Sequence, residues 1–170
     1  KIVEGREHDI RPCVGANYCL DRIYQGGEAL CIHNAATGRE LSMPHVIEHG
    51  TDRRKVVVVG AGPAGLEAAR VASARGHDVV VFEAGSRAGG QVLLTARSQR
   101  RAEMMQIIDW RVAQCEAAGV KLRYNLYAEA ADVLNETPDV VVIATGGMAN
   151  TTLYEADALD HVVSAWDILS

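Results

Sequence analysis

The 170-residue chain is long enough for one domain with a sizeable core, and its 48% apolar and 23% charged residues are typical of a globular protein. A formal net charge of −5 gives no general attraction to nucleic acid or to an anionic membrane, so any phosphate binding must be local. The longest apolar runs, at 56–59 and 140–144, have the length of strands, and segment 1–11 is polar, so we expect a cytoplasmic protein without a membrane span or signal peptide.

Residues 1–52 differ in character from the rest of the chain. Their hydrophobic periodicity is weak, and they contain Cys13, Cys19 and Cys31, three of the four cysteines. We expect an irregular linker in which metal or cluster binding competes with disulfide formation. His45 and His49 have the spacing of a metal pair on a helix, but with no third ligand nearby we expect solvated or structural histidines.

Residues 53–170 alternate strand and helix patterns, which predicts an α/β domain of the Rossmann-like, FAD/NAD(P)-binding type with a parallel sheet. The predicted elements are strands at 55–60, 78–83, 121–124 and 139–144 and helices at 63–75 and 99–118. The second helix places Cys115 on its apolar stripe, which predicts a core cysteine, and Gly119 is placed to end that helix.

The motif V-V-V-V-G-A-G-P-A-G at 56–65 places G-x-G-x-x-G between a strand and a helix. Gly60 would allow the tight turn, Gly62 would let the backbone approach a pyrophosphate, and Gly65 would let the helix pack closely on the strand. The helix N-terminus then offers free N–H groups and a positive dipole end to the phosphates.

Glu83 ends the second predicted strand 23 residues after Gly60, close to the spacing of a ribose-binding acid. A carboxylate at this position accepts hydrogen bonds from ribose hydroxyls and would repel a 2′-phosphate. The alternative is a tight βα turn followed by a surface glutamate without a ligand.

Two later patterns favour FAD or ADP over NAD: the doublet Gly89-Gly90, and the turn A-T-G at 144–146. Both resemble the two-dinucleotide-domain flavoprotein disulfide reductase superfamily, in which the doublet lies beside the cofactor and the turn closes over it. The candidate cofactor-binding residues are Gly60, Gly62, Pro63, Ala64, Gly65, Glu83, Ala84, Gly90, Gln91, Tyr127, Thr145 and Gly146.

The segment I-R-P-C-V-G-A-N-Y-C-L-D-R at 10–22, with C-I-H-N-A-A-T-G-R-E at 31–40, resembles the iron–sulfur linker of the trimethylamine dehydrogenase and 2,4-dienoyl-CoA reductase family. The resemblance runs from about residue 10 to the V-V-S-A-W-D-I-L end at 162–169. It implies a larger enzyme with an FMN-bearing (β/α)8 barrel, a [4Fe-4S] linker and two dinucleotide-type domains. This chain would then be an internal or C-terminal fragment whose partners are the remaining domains of the same enzyme, a homo-oligomer in full length.

The cysteine segment departs from the family at Ala16. Cys13, Cys19 and Cys31 match three of the four cluster ligands, but the methyl group of Ala16 cannot bind iron. Three possibilities remain: a cluster with a non-cysteine fourth ligand, a zinc site that also uses His33, or no metal.

The resemblance implies one of two roles for the dinucleotide-type domain. It binds FAD, which passes electrons from a nicotinamide to the cluster and FMN, or it holds ADP as a structural scaffold. A zinc-binding interaction module is the third possibility. The sequence has no Cys-x-x-Cys and no evident Ser/His/Asp or paired-carboxylate constellation, so catalytic residues are not assigned. The sequence C-V-G-A-N-Y-C at 13–19 is most similar to the N-methylproline demethylase branch, which implies oxidative N-demethylation of a small amine.

Overall fold

The computed structural model describes residues 1–150 and 162–170, so residues 151–161 of the expected 53–170 domain lie outside the described part. The strands are β1 (Lys55–Val59), β2 (Asp78–Phe82), β3 (Lys121–Arg123) and β4 (Val140–Ile143). The helices are α1 (Tyr18–Tyr24), α2 (Pro63–Ala74), α3 (Val92–Ala96), α4 (Gln106–Ala117), α5 (Ala130–Asn135) and α6 (Ala165–Leu169). No helix in the described ranges is both long enough and apolar enough to cross a membrane.

The four strands form one parallel sheet in the order β3-β2-β1-β4. Val57 of β1 pairs with Val80 of β2 on one side and Val141 of β4 on the other. The valine runs follow from this topology, because central strands of a parallel sheet are buried on both faces. The α/β class and the parallel sheet predicted from the sequence are therefore confirmed. The chain changes direction across the sheet between β1 and β4, the switch point where open α/β sheets bind ligands.

Each face of the sheet is covered by its own set of helices. On one face, alternate valines of β1 and β2 pack with Leu66 of α2 and with Ile107, Ile108 and Cys115 of α4. On the other face, Val57, Val80 and Phe82 pack against Val133 of α5. The buried position of Cys115 agrees with its place on the apolar stripe.

The expected helix at 99–118 is divided into two parts. Gln99–Met105 is a 3-10 helix, and the α-helix begins at Gln106. Arg100, Arg101 and Glu103 are exposed, so this stretch lacks the buried stripe that stabilises an amphipathic helix by packing. The predicted end is correct, since Gly119 adopts a left-handed φ of 75° directly after the helix.

Residues 1–52 contain 3-10 turns at Ile2–Glu4 and Glu7–Asp9 together with α1, and no strand. This agrees with the expected irregular, cysteine-containing segment. His45 and His49 do not lie on a helix, so the spacing of a helical metal pair does not apply to them.

Candidate dinucleotide-binding site

The glycine turn after β1 requires Gly60 for two reasons. Its φ is 103°, a left-handed conformation that side chains other than hydrogen disfavour. A Cβ at this position would also overlap the carbonyl of Ala144, which follows β4. The Gly60 N–H donates to the carbonyl of Phe82 at 2.7 Å, which ties the turn to the end of β2.

Gly65 is required by packing between helix and strand. A Cβ on Gly65 would overlap the carbonyl of Gly60, and it would lie 3.2 Å from the Cβ of Ala144. The absence of a side chain therefore lets α2 start directly against the end of β1. This matches the role expected for the third glycine of the motif.

Gly62 differs from both, because the protein itself does not require a glycine there. Its φ of −74° and ψ of −179° are accessible to any residue. The nearest atom to a Cβ on Gly62 would be the Cα of Gly90, at an ordinary van der Waals distance of 3.9 Å. The missing side chain thus leaves backbone open in front of the turn, as close approach of a ligand would need.

Helix α2 begins immediately beyond Gly62. Pro63 occupies its first position, where a residue without an N–H loses no helical hydrogen bond. The N–H groups of the first turn, at Ala64 and Gly65, have no partners within an α-helix and point out of its N-terminus. The turn and the twelve-residue helix together form a potential anion site.

The carboxylate of Glu83 lies at the carboxyl end of β2 and is held by two backbone donors. Its Oε2 accepts from the N–H of Ala61 at 2.7 Å, and its Oε1 accepts from the N–H of Gly85 at 2.8 Å. Each carboxylate oxygen has a second lone-pair direction, so the bound carboxylate can still accept from two hydroxyl groups.

The doublet Gly89-Gly90 is the second backbone segment that reaches the turn. The N–H of Gly89 donates to the carbonyl of Ala61 at 2.9 Å. Gly90 has a φ of 53°, and a Cβ on it would lie 3.2 Å from the Cα of Gly62. The two glycine segments therefore approach each other closely, and a side chain on Gly90 would crowd the glycine turn.

The turn at 144–146 completes this edge of the sheet. Gln91 Nε2 donates to the carbonyl of Gly147 at 2.9 Å, which links the doublet loop to the chain after β4. Thr145 and Gly146 are exposed beside this link. The structure thus brings the candidate residues of the glycine turn, the doublet and the A-T-G turn to one edge, together with Glu83. Ala84 and Tyr127 are exposed, and Tyr127 lies in the loop between β3 and α5.

The cysteine segment does not supply the four thiolates of the cluster that the resemblance implies. Cys13, Cys19 and Cys31 are free thiols, and Cys31 Sγ accepts from the N–H groups of His33 and Asn34, both at 3.4 Å. Ala16 supplies no donor atom, and its methyl group packs against the hydrophobic core. Within residues 1–150 and 162–170, no three His, Cys, Asp or Glu side chains are placed to hold a metal ion. The residues present do not fit a four-thiolate cluster.

His33, the candidate substitute ligand, is buried inside the protein. Its Nδ1 bonds the carbonyl of Pro12 at 2.9 Å, and its ring packs edge-on against Trp110 at 5.8 Å. Burial, with the nearby Arg111 and Arg11 charges, lowers the pKa of His33 to about 4, so the ring is neutral at physiological pH. These contacts give His33 a structural role between segment 1–52 and α4.

Sequence reasoning missed a group of charged residues next to His33, in which Arg11, Arg70 and Arg111 surround Glu67. The only signal in the sequence is that Glu67 and Arg111 interrupt otherwise buried faces of α2 and α4. That pattern alone does not distinguish a buried ion pair from a solvated one.

Comparison with known proteins adds evidence that is independent of this geometry. A sequence model described as pyridine nucleotide-disulphide oxidoreductase matches residues 54–167. The chain is 66% identical over 170 residues to a probable N-methylproline demethylase of Rhizobium meliloti (strain 1021), covering 100% of this chain and 25% of that protein. It is 48% identical over 171 residues to the multifunctional alkene reductase/demethylase OYE of Caballeronia cordobensis, covering 100% of this chain and 24% of that protein.

Among solved structures, a complex of 2-naphthoyl-CoA reductase with 2-naphthoyl-CoA superposes with a TM-score of 0.89 at 36% identity, covering 99% of this chain and 26% of that one. The chain therefore spans about a quarter of the length of these relatives. The matches confirm the resemblance that the cysteine segment and the glycine motifs indicated.

Proposed function

Because the chain belongs to the pyridine nucleotide-disulphide oxidoreductase family, we propose that its sheet domain binds an adenine dinucleotide, FAD, as one module of a larger flavin-dependent oxidoreductase. The observation that carries this proposal is Gly62. Packing and φ explain Gly60 and Gly65 without a ligand, but neither explains the glycine at 62. A pyrophosphate lying against that backbone does explain it.

The residues present fit such a ligand. The turn at 60–64 and the first N–H groups of α2 would hold the pyrophosphate. Glu83 would accept hydrogen bonds from the adenosine ribose, since its two oxygens are already oriented by Ala61 and Gly85. The flavin half of the ligand, beyond the pyrophosphate, would be bordered by the doublet at 89–90, Gln91 and the turn at 145–146. The exposed residues Ala84 and Tyr127 remain candidates for contacts at the rim of the nucleotide site.

FAD is favoured over ADP by the extent of this edge. ADP would need only the glycine turn and Glu83, whereas Gln91 joins the doublet loop to the chain after β4 farther along the same edge. FAD when bound supplies hydride and electron transfer, and ADP supplies neither. The second candidate is a non-redox ADP scaffold, because the glycine turn and Glu83 would by themselves be enough to hold ADP.

We infer the chemistry of the whole protein from its relatives alone. Both curated relatives are named as demethylases, one of them also as an alkene reductase. The proposed reaction is thus oxidation of an N-methylated amine, with enoyl reduction as the alternative. Catalytic groups and FMN would belong to other parts of the polypeptide, which would also be the main partners of this module, with the full-length protein a homo-oligomer.

The test uses full-length protein, purified without added nucleotide and then heat-denatured. Chromatography of the released nucleotides, with absorbance detection, identifies FAD, FMN and ADP separately. FAD in an amount close to one per chain supports the proposal, and ADP at that level supports the scaffold. Release of neither from the wild-type protein, together with no binding of added FAD or ADP, would overturn both. The Gly62→Ala variant is the matched control, because its fold should be retained while its nucleotide content falls.

A further inference from the structure

Three arginine side chains surround one carboxylate where α2, α4 and the N-terminal segment meet. Arg70 Nη2 lies 2.7 Å and Arg11 Nη2 lies 3.6 Å from Glu67 Oε1, and Arg111 Nε lies 2.8 Å from Glu67 Oε2. All four side chains are largely buried, and the most exposed of them, Glu67, is 23% exposed. We call these four residues the arginine cluster. With His33 neutral, it has three positive charges and one negative charge.

An excess of positive charge is unusual for groups that are largely buried, because buried charges are normally paired. The ring of Trp110 offsets part of it, since the guanidinium carbons of Arg11 and Arg70 lie 4.1 Å and 5.5 Å from the ring centroid. Burial lowers the pKa of Arg11 and of Arg111, and Glu67 only partly offsets this effect. Backbone carbonyl groups accept further hydrogen bonds from the arginines. The carbonyl of His33 accepts from Arg11 and from Arg111, and the carbonyl of Ile107 accepts from Arg111. Arg70 Nε, however, is buried without a hydrogen-bond partner in the described part of the chain.

A cavity of about 460 Å³ lies directly against this cluster. Arg11, Glu67 and Arg70 of the arginine cluster line it. Arg75 and Glu48 line it as well, and their opposite charges leave the excess positive charge of the cluster unchanged. Its apolar walls come from the segment around Met43, Val46 and Ile47 and from Val71 of α2, and Asn34, Ser42 and His45 add polar groups. None of the candidate nucleotide-binding residues lines this cavity, so it is a separate site.

We propose that this cavity binds a small organic monocarboxylate, with the carboxylate group paired to Arg11 and Arg70 and the apolar body lying against Met43, Ile47 and Val71. The arginine cluster has more positive than negative charge, so a ligand with an anionic head group would complete it. A carboxylate suits this role, since an arginine guanidinium can donate two parallel hydrogen bonds to it. Glu67 on the same wall disfavours a multiply charged phosphate, because like charges in close contact repel. The apolar walls account for the remainder of the ligand.

Carboxylate binding in this cavity can be measured independently of nucleotide binding. Full-length protein is titrated with hexanoate by isothermal calorimetry, with hexanol and inorganic phosphate as matched probes. We expect hexanoate to bind, while hexanol and phosphate give no saturable heat. Arg70→Met retains most of the aliphatic stem but removes the charge, so hexanoate affinity should fall by about 10-fold to 100-fold.

Two further variants separate a lost site from a lost fold. Val71→Phe fills the cavity without changing any charge and should also abolish hexanoate binding. Arg53→Met removes an exposed arginine outside the cavity and should bind as the wild type does. FAD or ADP content measured on the same samples shows whether the nucleotide site is intact.

Absence of hexanoate binding to the wild-type protein, or equal affinity in Arg70→Met, would overturn the proposal. Saturable phosphate binding that competes with hexanoate would assign the cavity to a phosphate instead. If Arg70→Met fails to fold, Val71→Phe decides the question, because retained hexanoate binding in that variant places the ligand elsewhere.

Discussion

The carboxylate of Glu83 accepts a hydrogen bond from the backbone N–H of Ala61 across 2.7 Å. This bond joins the carboxyl end of β2 to the glycine turn after β1, so the acid is oriented from within the turn that would hold the phosphates. A second bond, from the N–H of Gly85 at 2.8 Å, fixes the other oxygen. The arrangement is preorganised, because a ribose would meet a carboxylate whose position needs no rearrangement.

Replacement of Glu83 should weaken nucleotide binding selectively. Glu83→Ala would remove the charge-assisted hydrogen bonds that we propose to the ribose, and we expect a loss of about 1–3 kcal/mol in the binding of ADP or FAD. Glu83→Gln should not rescue binding fully, since an amide group has only one oxygen to face the two backbone donors. Calorimetric titration of full-length protein measures both, with the exposed Glu28→Ala as the control. Unchanged affinity in Glu83→Ala would disprove the ribose assignment.

The three glycines of the motif should respond differently to alanine. Gly62→Ala places a methyl group where the structure leaves room for it, so the melting temperature should change little while nucleotide affinity falls sharply. Gly60→Ala and Gly65→Ala introduce overlap with backbone carbonyls and should destabilise the fold by about 1–3 kcal/mol or more. Thermal unfolding and nucleotide titration of the three variants give the comparison. Equal loss of stability in all three would mean that Gly62 has a structural role.

The sequence predicted the parallel sheet and the glycine turn at the end of its first strand, because valine runs and G-x-G-x-x-G are local patterns with local physical causes. It did not predict α3 and α5, which have five and six residues and are too short to show helical periodicity. A signal for α5 was present, since the side chain of Asp132 accepts from the N–H of Glu129 in the manner of a capping box.

The contacts of His33 and Glu67 could not be predicted, because they join positions far apart along the chain. Arg111 donates to the carbonyl of His33 from 78 positions away. Such pairings depend on how the N-terminal segment lies on α2 and α4, and residue spacing contains no information about that. For the same reason, the sequence could offer His33 only as one possible metal ligand, because its burial against Trp110 cannot be predicted from its spacing to Cys31.

Cys115 should be chemically inert in the folded protein. Its side chain is fully buried, and burial raises the pKa of its thiol to about 11. At about pH 8 a maleimide should therefore label the exposed Cys13 rapidly and Cys115 only after unfolding, which mass spectrometry of the peptides can measure. Rapid labelling of Cys115 in native protein would show that α4 does not pack as described.

The same shift predicts a loss of stability at high pH. The folded state disfavours the Cys115 thiolate, so the free energy of unfolding includes a contribution from the neutral thiol. This contribution is fully present below the ordinary thiol pKa of 9.0 and is lost as the pH rises towards about 11. Denaturant unfolding across this range should show that decline in the wild-type protein. Cys115→Ala should be less stable overall, since it leaves a cavity, but this part of its pH dependence should be absent.

A chain of residues 1–170 produced alone should associate and show no turnover. Within residues 1–150 and 162–170, β4 pairs with β1 alone, and Val141 and Ile143 on one of its faces are 41% and 69% exposed. An apolar strand edge is a template for pairing with another chain. Sedimentation should show concentration-dependent association that Ile143→Lys reduces, with Val163→Lys as the control. A monomeric 1–170 chain that turns over a nicotinamide or an amine would contradict both parts of this prediction.

The cysteine segment should hold no [4Fe-4S] cluster in the natural sequence. Cys13, Cys19 and Cys31 offer three thiolates, and the fourth expected position is a methyl group packed against the core. His33 has its Nδ1 bonded to the carbonyl of Pro12 and its ring against Trp110, so it is anchored among structural contacts. Iron and acid-labile sulfide assays on anaerobically purified full-length protein should therefore find no cluster that depends on Cys19.

Ala16→Cys provides the complementary experiment, since it restores the fourth thiolate of the family pattern. After reconstitution with iron and sulfide, this variant should acquire a broad visible absorbance and about four irons per chain, and both should be lost when Cys19→Ala is added. A wild-type protein with about four irons per chain, removable by Cys19→Ala, would overturn the prediction. His33→Ala in that wild-type background would then show whether the imidazole is the fourth ligand, because Nδ1 of His33 bonds Pro12 while Nε2 has no hydrogen-bond partner in the described part of the chain.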